Sequence, residues 1–189
     1  MNWTADQIKE LVNKYPYLAP HNSWTGELVE DYDYTYTEAD CLPAGWHKLF
    51  YLLAKELRSH LERSGVLYTW YFTEIKEKYG SMRVYISSIP TSAEHLIDLY
   101  EYFSEQICCA CGKPSTRETA GWISYTCEQC LPEHSVSTEV KHKKVLTLKS
   151  YHPDKRVDTV CYSLRPLKQK WNKLKDLSDK EFFDFMMQD

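Results

Sequence analysis

No stretch of this 189-residue chain approaches the ~18 consecutive apolar residues of a membrane-spanning helix, so no membrane partner is expected. The first residues, Met1-Asn2-Trp3-Thr4, carry neither the basic nor the apolar region of a secretory signal. The signatures of common enzyme classes are also missing. There is no P-loop, no G-x-S-x-G, no H-E-x-x-H and no dinucleotide fingerprint. Net charge is small, −4 with a pI near 6.0, unlike most dedicated nucleic-acid-binding domains. Internal repeats and low-complexity tracts are lacking too. These absences leave a globular, non-catalytic protein as the expectation. An apolar content of 43% with 14% aromatics is enough to build an ordinary core.

What is present is a pattern of cysteines. Cys108, Cys111, Cys127 and Cys130 read C-x2-C-x15-C-x2-C, within the spacing window of a four-cysteine zinc site. Each C-x2-C can turn two thiolates toward one metal, and Gly112 suits the tight turn after the first pair. Four thiolates close the tetrahedron and leave no position for water, so the zinc would be structural. Two disulfides or idle thiols are the alternative. Zinc-ribbon nucleases of the His-Asn-His kind need a histidine motif between the pairs, and residues 112–126 contain none. Cys109 falls outside the spacing and reads as a small buried hydrophobe. His134 lies close enough to replace a cysteine, but four already satisfy the metal. Seven cysteines, metal-type spacing and no export signal predict a reducing, cytoplasmic setting.

Charge is unevenly placed. Residues 26–40 hold six acids (Glu27, Glu30, Asp31, Asp33, Glu38, Asp40) and no base, whereas residues 141–175 hold eleven bases and two acids. Such asymmetry marks either a partner surface or a basic tail that folds onto the chain's own acids.

The elements follow from period and punctuation. Thr4 and Gln7 form a capping box ahead of Ile8, Leu11, Val12 and Tyr15, and Pro16 stops that helix. Asp31, Tyr32, Asp33, Tyr34 and Tyr36 alternate with period two. That pattern predicts an edge strand or an acidic, tyrosine-lined arm able to meet a partner. Trp46, Leu49, Phe50, Leu53, Leu57 and Leu61 make one apolar stripe ended by Gly65. His47 and His60 on it read as solvated or hydrogen-bonded. Residues 66–88 read as a hairpin turning at Gly80-Ser81 in a type II′ turn, with Lys78 opposite Arg83 and Lys76 opposite Tyr85. Ile75, Tyr79, Met82, Val84 and Ile86 would face the core, with Trp70, Phe72 and Glu74 on the basic face. Opposed like charges need neutralising. Glu74, the 27–40 acids, or an anion held by Lys76, Lys78, Arg83 and Tyr85 could do so. A third helix, capped by Thr91 and Glu94, carries Leu96, Ile97, Tyr100, Phe103 and Ile107 straight into Cys108. Residues 122–126 form a β-rich lead to Cys127, and residues 141–150 and 157–164 a strand pair. Pro166 opens a helix bearing Leu167, Trp171 and Leu174. Ser178 and Glu181 cap a short apolar one with Phe182, Phe183, Phe185 and Met186. That segment would dock on the core or on a second subunit.

The expected fold is α+β. A helix–β-hairpin–helix core (41–134) carries a structural zinc-ribbon-like module. An N-terminal helix and arm (1–40) precede it, and a basic C-terminal extension (135–189) follows.

Several stretches carry a resemblance. They are C-L-P-A-G-W at 41–46, I-K-E-K-Y-G-S-M-R-V-Y at 75–85, S-E-Q-I-C at 104–108 with C-G-K-P at 111–114, and G-W at 121–122 leading to Cys127. Together, over about residues 41–130, they resemble a family of small uncharacterised phage and prophage proteins. That family shares a glycine–tryptophan helix start, a K-E-K-F-G-x-L-R-F-Y hairpin and a cysteine knuckle module. Tyr79, Met82 and Val84 stand where it more often has Phe, Leu and Phe, which keeps the core face apolar. The resemblance implies the cytoplasm of an infected bacterium and supplies no activity.

Three functions compete. A non-catalytic binder would occupy a host protein, such as a defence component, through its tyrosines and uneven charge. A nucleic-acid binder would use the basic segment and the hairpin face, with strong salt dependence. A sponge would hold an anionic nucleotide on the Lys76, Lys78, Arg83 and Tyr85 face.

Overall fold

The computed structural model describes residues 1–86, 91–151 and 155–189, with the side chains of 91, 92, 150 and 151 excepted. Helix and strand are mixed. Helix α1 (Ala5–Lys14) opens behind the Thr4–Gln7 capping box. Helix α2 (His47–Arg63) follows a 3-10 turn at Ala44–Trp46 and ends at Gly65, whose φ of +70° is the left-handed stop that glycine favours. Strands β1 (Phe72–Lys78) and β2 (Ser81–Ile86) pair antiparallel, and α3 (Thr91–Ser104) follows. The capping expected at Thr91 lies outside the described residues. Strands β3 (Arg117–Thr119), β4 (Tyr125–Thr126) and β5 (Ser137–Glu139) form a small sheet in the order β4-β3-β5. Strands β6 (Val145–Tyr151) and β7 (Val157–Ser163) form a separate two-stranded ribbon. Helices α4 (Arg165–Leu174) and α5 (Asp179–Met187) close the chain. No helix among the described residues is long and apolar enough to cross a membrane.

Helix α2 is the centre of the core. Leu49, Phe50, Leu53, Leu57 and Leu61 are fully buried, as is Trp46 just before it. Each such side chain contributes about 1.5–3 kcal/mol by leaving water. The same cluster takes Leu11 from α1 and Tyr15 at its end, Phe72 and Ile75 from β1, Tyr100 and Phe103 from α3, Trp171 from α4 and Phe182 from α5. One core therefore draws on all three stretches, 1–40, 41–134 and 135–189. The chain ends are tied directly. Trp3 Nε1 donates to Asp179 O at 2.9 Å, and the Tyr15 hydroxyl donates to Met186 O at 2.7 Å. The apolar face of α5 is spent on its own chain, with Phe182 against Trp3 and Tyr51.

Two expectations need correction. The hairpin turns at Tyr79-Gly80, both at positive φ (53° and 77°), which is a type I′ turn. Lys76 therefore faces Arg83 and Glu74 faces Tyr85, while Tyr79 stands out in solvent. An irregularity between Phe72 and Glu74 resets the alternation, so Trp70 and Phe72 are buried instead of sharing the basic face. Residues 31–36 form no strand. Asp31 and Tyr34 adopt positive φ, and Asp33 Oδ1 accepts from the Thr35 amide and hydroxyl, a local turn that defeats extended pairing.

Candidate metal centre

The first knuckle grows out of the end of α3. Beyond Ser104 the chain turns through Gln106, and Ile107 bridges to Pro114. The helix thus stops short of the cysteines, and a short β-bridge delivers them. The Cys108 amide donates to Lys113 O at 2.6 Å, and the Gly112 amide returns to Cys108 O at 2.9 Å, with Gly112 at φ +74°. The second knuckle follows β4. A 3-10 turn at Glu128–Cys130 brings the Cys130 amide to Cys127 O at 3.1 Å. The two are laced together where the Cys109 amide donates to Tyr125 O at 3.0 Å.

The ligand atoms of Cys108, Cys111, Cys127 and Cys130 all lie within 4.8 Å of one another. Cys111 Sγ and Cys127 Sγ are 3.7 Å apart, well beyond the ~2.05 Å of a disulfide. Four sulfurs each ~2.3 Å from one tetrahedral ion sit about 3.8 Å apart, so this spacing fits a metal. Cys108 and Cys127 are buried, Cys130 is half-buried and Cys111 lies at the surface. Burial opposes ionisation of Cys127. The amides of Cys130 and Gln129 and the neighbouring thiols of Cys111 and Cys130 outweigh it and hold the thiol down at about 7. Cys130 is pushed up to about 12 by its hydrogen bonds with the Cys111 and Cys127 thiols, which favour its protonated form. A dication favours deprotonation of all four. The group can hold one metal ion and suits structural zinc. His134 is not one of its members.

Two supports of this centre escaped sequence reasoning. Gly45 packs directly on the first knuckle and its amide donates to Cys109 O at 2.8 Å. A Cβ there would lie 2.3 Å from Cys108 O and 2.6 Å from the Gly112 nitrogen. Trp171 on α4 donates from Nε1 to Gly112 O at 3.3 Å. The G-W pair of the 41–46 motif was the available signal for Gly45, and nothing local marked Trp171. Cys109 is half-buried, and burial pushes its thiol up to about 11.

No family model, curated protein or solved structure matches the chain. The resemblance to phage proteins rests on its motifs alone.

The other candidate residues are dispersed. On the hairpin, Lys76 pairs with Glu74 at 2.6 Å and lies over the Tyr85 ring at 4.9 Å. Arg83 pairs with Glu101 on α3 at 3.1 Å, and the Glu101 carboxylate also accepts the Val84 amide at 2.6 Å. Lys78 lies over the Tyr79 ring at 5.7 Å. The opposed Lys76 and Arg83 are thus neutralised from within, by Glu74 and by Glu101 of α3 and not by the 27–40 acids. In the acidic segment, Tyr32 packs against Tyr34 at 4.7 Å and Tyr36 at 5.4 Å, a small aromatic knot. It is moored where the Thr37 and Tyr51 hydroxyls meet at 2.7 Å. Lys170 of the basic stretch pairs with Glu56 on α2. His47 Nε2 donates to Leu42 O at 2.8 Å, a structural bond.

Proposed function

We propose that this chain is a non-catalytic, zinc-stapled binding protein of phage type. It acts by occupying a host protein, a defence component being the kind of target that suits the setting, in the cytoplasm of an infected bacterium. On this reading α2, the β1–β2 hairpin and α3 form the helix–hairpin–helix core and the cysteine module is its zinc staple. Residues 135–189 are the basic extension.

The observation that carries the proposal is the surface of residues 24–36. Trp24 is 93% exposed, and Leu28, Val29 and Tyr36 are exposed in the same stretch as Glu27, Glu30, Asp31 and Asp33. An open tryptophan among apolar and acidic groups stabilises nothing in the free protein and suits an interface anchor. The test is capture from bacterial lysate on the immobilised full chain, at low and high salt, with and without nuclease. A single host protein should be retained under all four conditions and lost with Trp24→Ala. Retention that collapses with nuclease and high salt would instead favour nucleic acid. The exposure of β7 and of Lys143, Lys144 and Arg165 supports that second reading.

A further inference from the structure

At the foot of the β6–β7 ribbon lies a cleft of about 480 Å³. Lys143, Lys144, Arg165 and Lys168 line it. Lys144, Arg165 and Lys168 form no ion pair among the described residues, unlike Lys76 and Arg83 on the hairpin. Three uncompensated cations facing one concavity repel one another, and a multivalent anion relieves that repulsion. The cleft is also where α4 begins. The first turn of α4 offers few free amides, since Pro166 has none and those of Arg165 and Lys168 donate to Ser163 Oγ at 3.3 Å and Leu164 O at 2.9 Å, so the positive potential there comes from the side chains.

A second cleft of about 180 Å³ adjoins the first, sharing Gln106, His142 and Lys143 as a common wall. The wall is fixed: Gln106 Nε2 donates to Lys143 O at 3.0 Å and His142 Nε2 donates to Ser115 O at 2.7 Å. The lining of this second cleft is different in kind. Tyr102 and Tyr125 present half-buried rings, and Glu105 and Glu118 present carboxylates. Rings stack on nucleobases, while carboxylates accept from ribose hydroxyls and exocyclic amines. A cationic half beside an aromatic–carboxylate half matches the two ends of a nucleotide.

We infer that the joined clefts bind a nucleoside phosphate. The side chains of Lys144, Arg165 and Lys168 hold the phosphates, and the base lies against Tyr102 and Tyr125. This site is distinct from the hairpin face and independent of the host-protein reading.

Calorimetric titration of the zinc-loaded full chain with ADP, pyrophosphate and a short oligothymidylate tests the assignment. ADP should bind more tightly than pyrophosphate, and more weakly as salt rises. The double variant Arg165→Glu/Lys168→Glu should weaken ADP by at least about tenfold. Both changes put acids in the first turn of α4, where the helix dipole favours them, so folding is retained and checked by thermal melting. Tyr102→Ala should lower ADP to the level of pyrophosphate and leave pyrophosphate itself unchanged. Absence of ADP binding, equal affinity for ADP and pyrophosphate, an unaffected double variant, or a preference for the oligothymidylate would each overturn the inference.

Discussion

Gly45 is the residue on which the cysteine cluster and the main core meet. The atoms a methyl group would strike there, Cys108 O, Cys109 O and the Gly112 nitrogen, all belong to backbone. None can swing aside as a side chain would, so the knuckle must open. Gly45→Ala should therefore cost about 3 kcal/mol or more, at the upper end of overpacking effects. Gly65→Ala is the control. It meets nothing within 4 Å and suffers only the strain of a positive φ, about 1 kcal/mol. Urea midpoints of the two variants compare them directly, and chelator competition reports whether the Gly45 variant also loosens the metal. Equal midpoints would mean that the close approach yields easily. That Cys108, Cys111, Cys127 and Cys130 come together was legible from spacing, because each C-x2-C carries its own geometry. The need for glycine at 45 was not, because its neighbours come from a distant part of the chain.

At the scale of elements, the β3–β4–β5 sheet has little apolar material of its own. Thr119, Thr126 and the nearby Ser115 are its buried residues, and its three strands are short. Its order must come from the knuckles. A structural zinc contributes roughly 10–16 kcal/mol of apparent binding free energy, as large as the whole net stability of an ordinary domain. Chelation should unfold at least residues 104–134 in one step. Hydrogen exchange would show protection lost together across β3, β4 and both knuckles, and restored by zinc. Protection that survives chelation would mean that the sheet does not depend on the metal. The hairpin shows why register was harder to read than element type. Gly80-Ser81 is a good type II′ pair, yet Tyr79-Gly80 turns instead. Gly80 lies so near Tyr125 and Ile123 of the cysteine module that a Cβ would come within 2.9 Å of the Tyr125 ring. Its amide also donates to Glu77 Oε1 at 2.7 Å. Tertiary packing chose the turn, and every cross-strand pair followed.

Over the whole molecule, the motifs concentrate in residues 41–130, and the flanks look like additions when read as sequence. Packing says otherwise. Phe182 and Met186 of α5, Trp171 of α4, Leu11 of α1 and Tyr15 just beyond it are all buried in the one core that α2 centres. Periodicity predicted each of these helices but could not show that their apolar faces converge on one another. A fragment comprising residues 41–134 would expose the faces of α2 that α1 and α5 now cover, and would free Gly112 O from Trp171. Losing even one large core aromatic costs about 3–5 kcal/mol, and this fragment loses several at once. It should therefore be unfolded or molten, with broad amide resonances, even when zinc is supplied. Adding the flanking segments back in trans should not rescue it, because their ends join through α1–α5 contacts that would first have to assemble. A 41–134 fragment that gives a cooperative melt and a dispersed spectrum would show that the motif region is a self-sufficient domain and that the flanks merely decorate it.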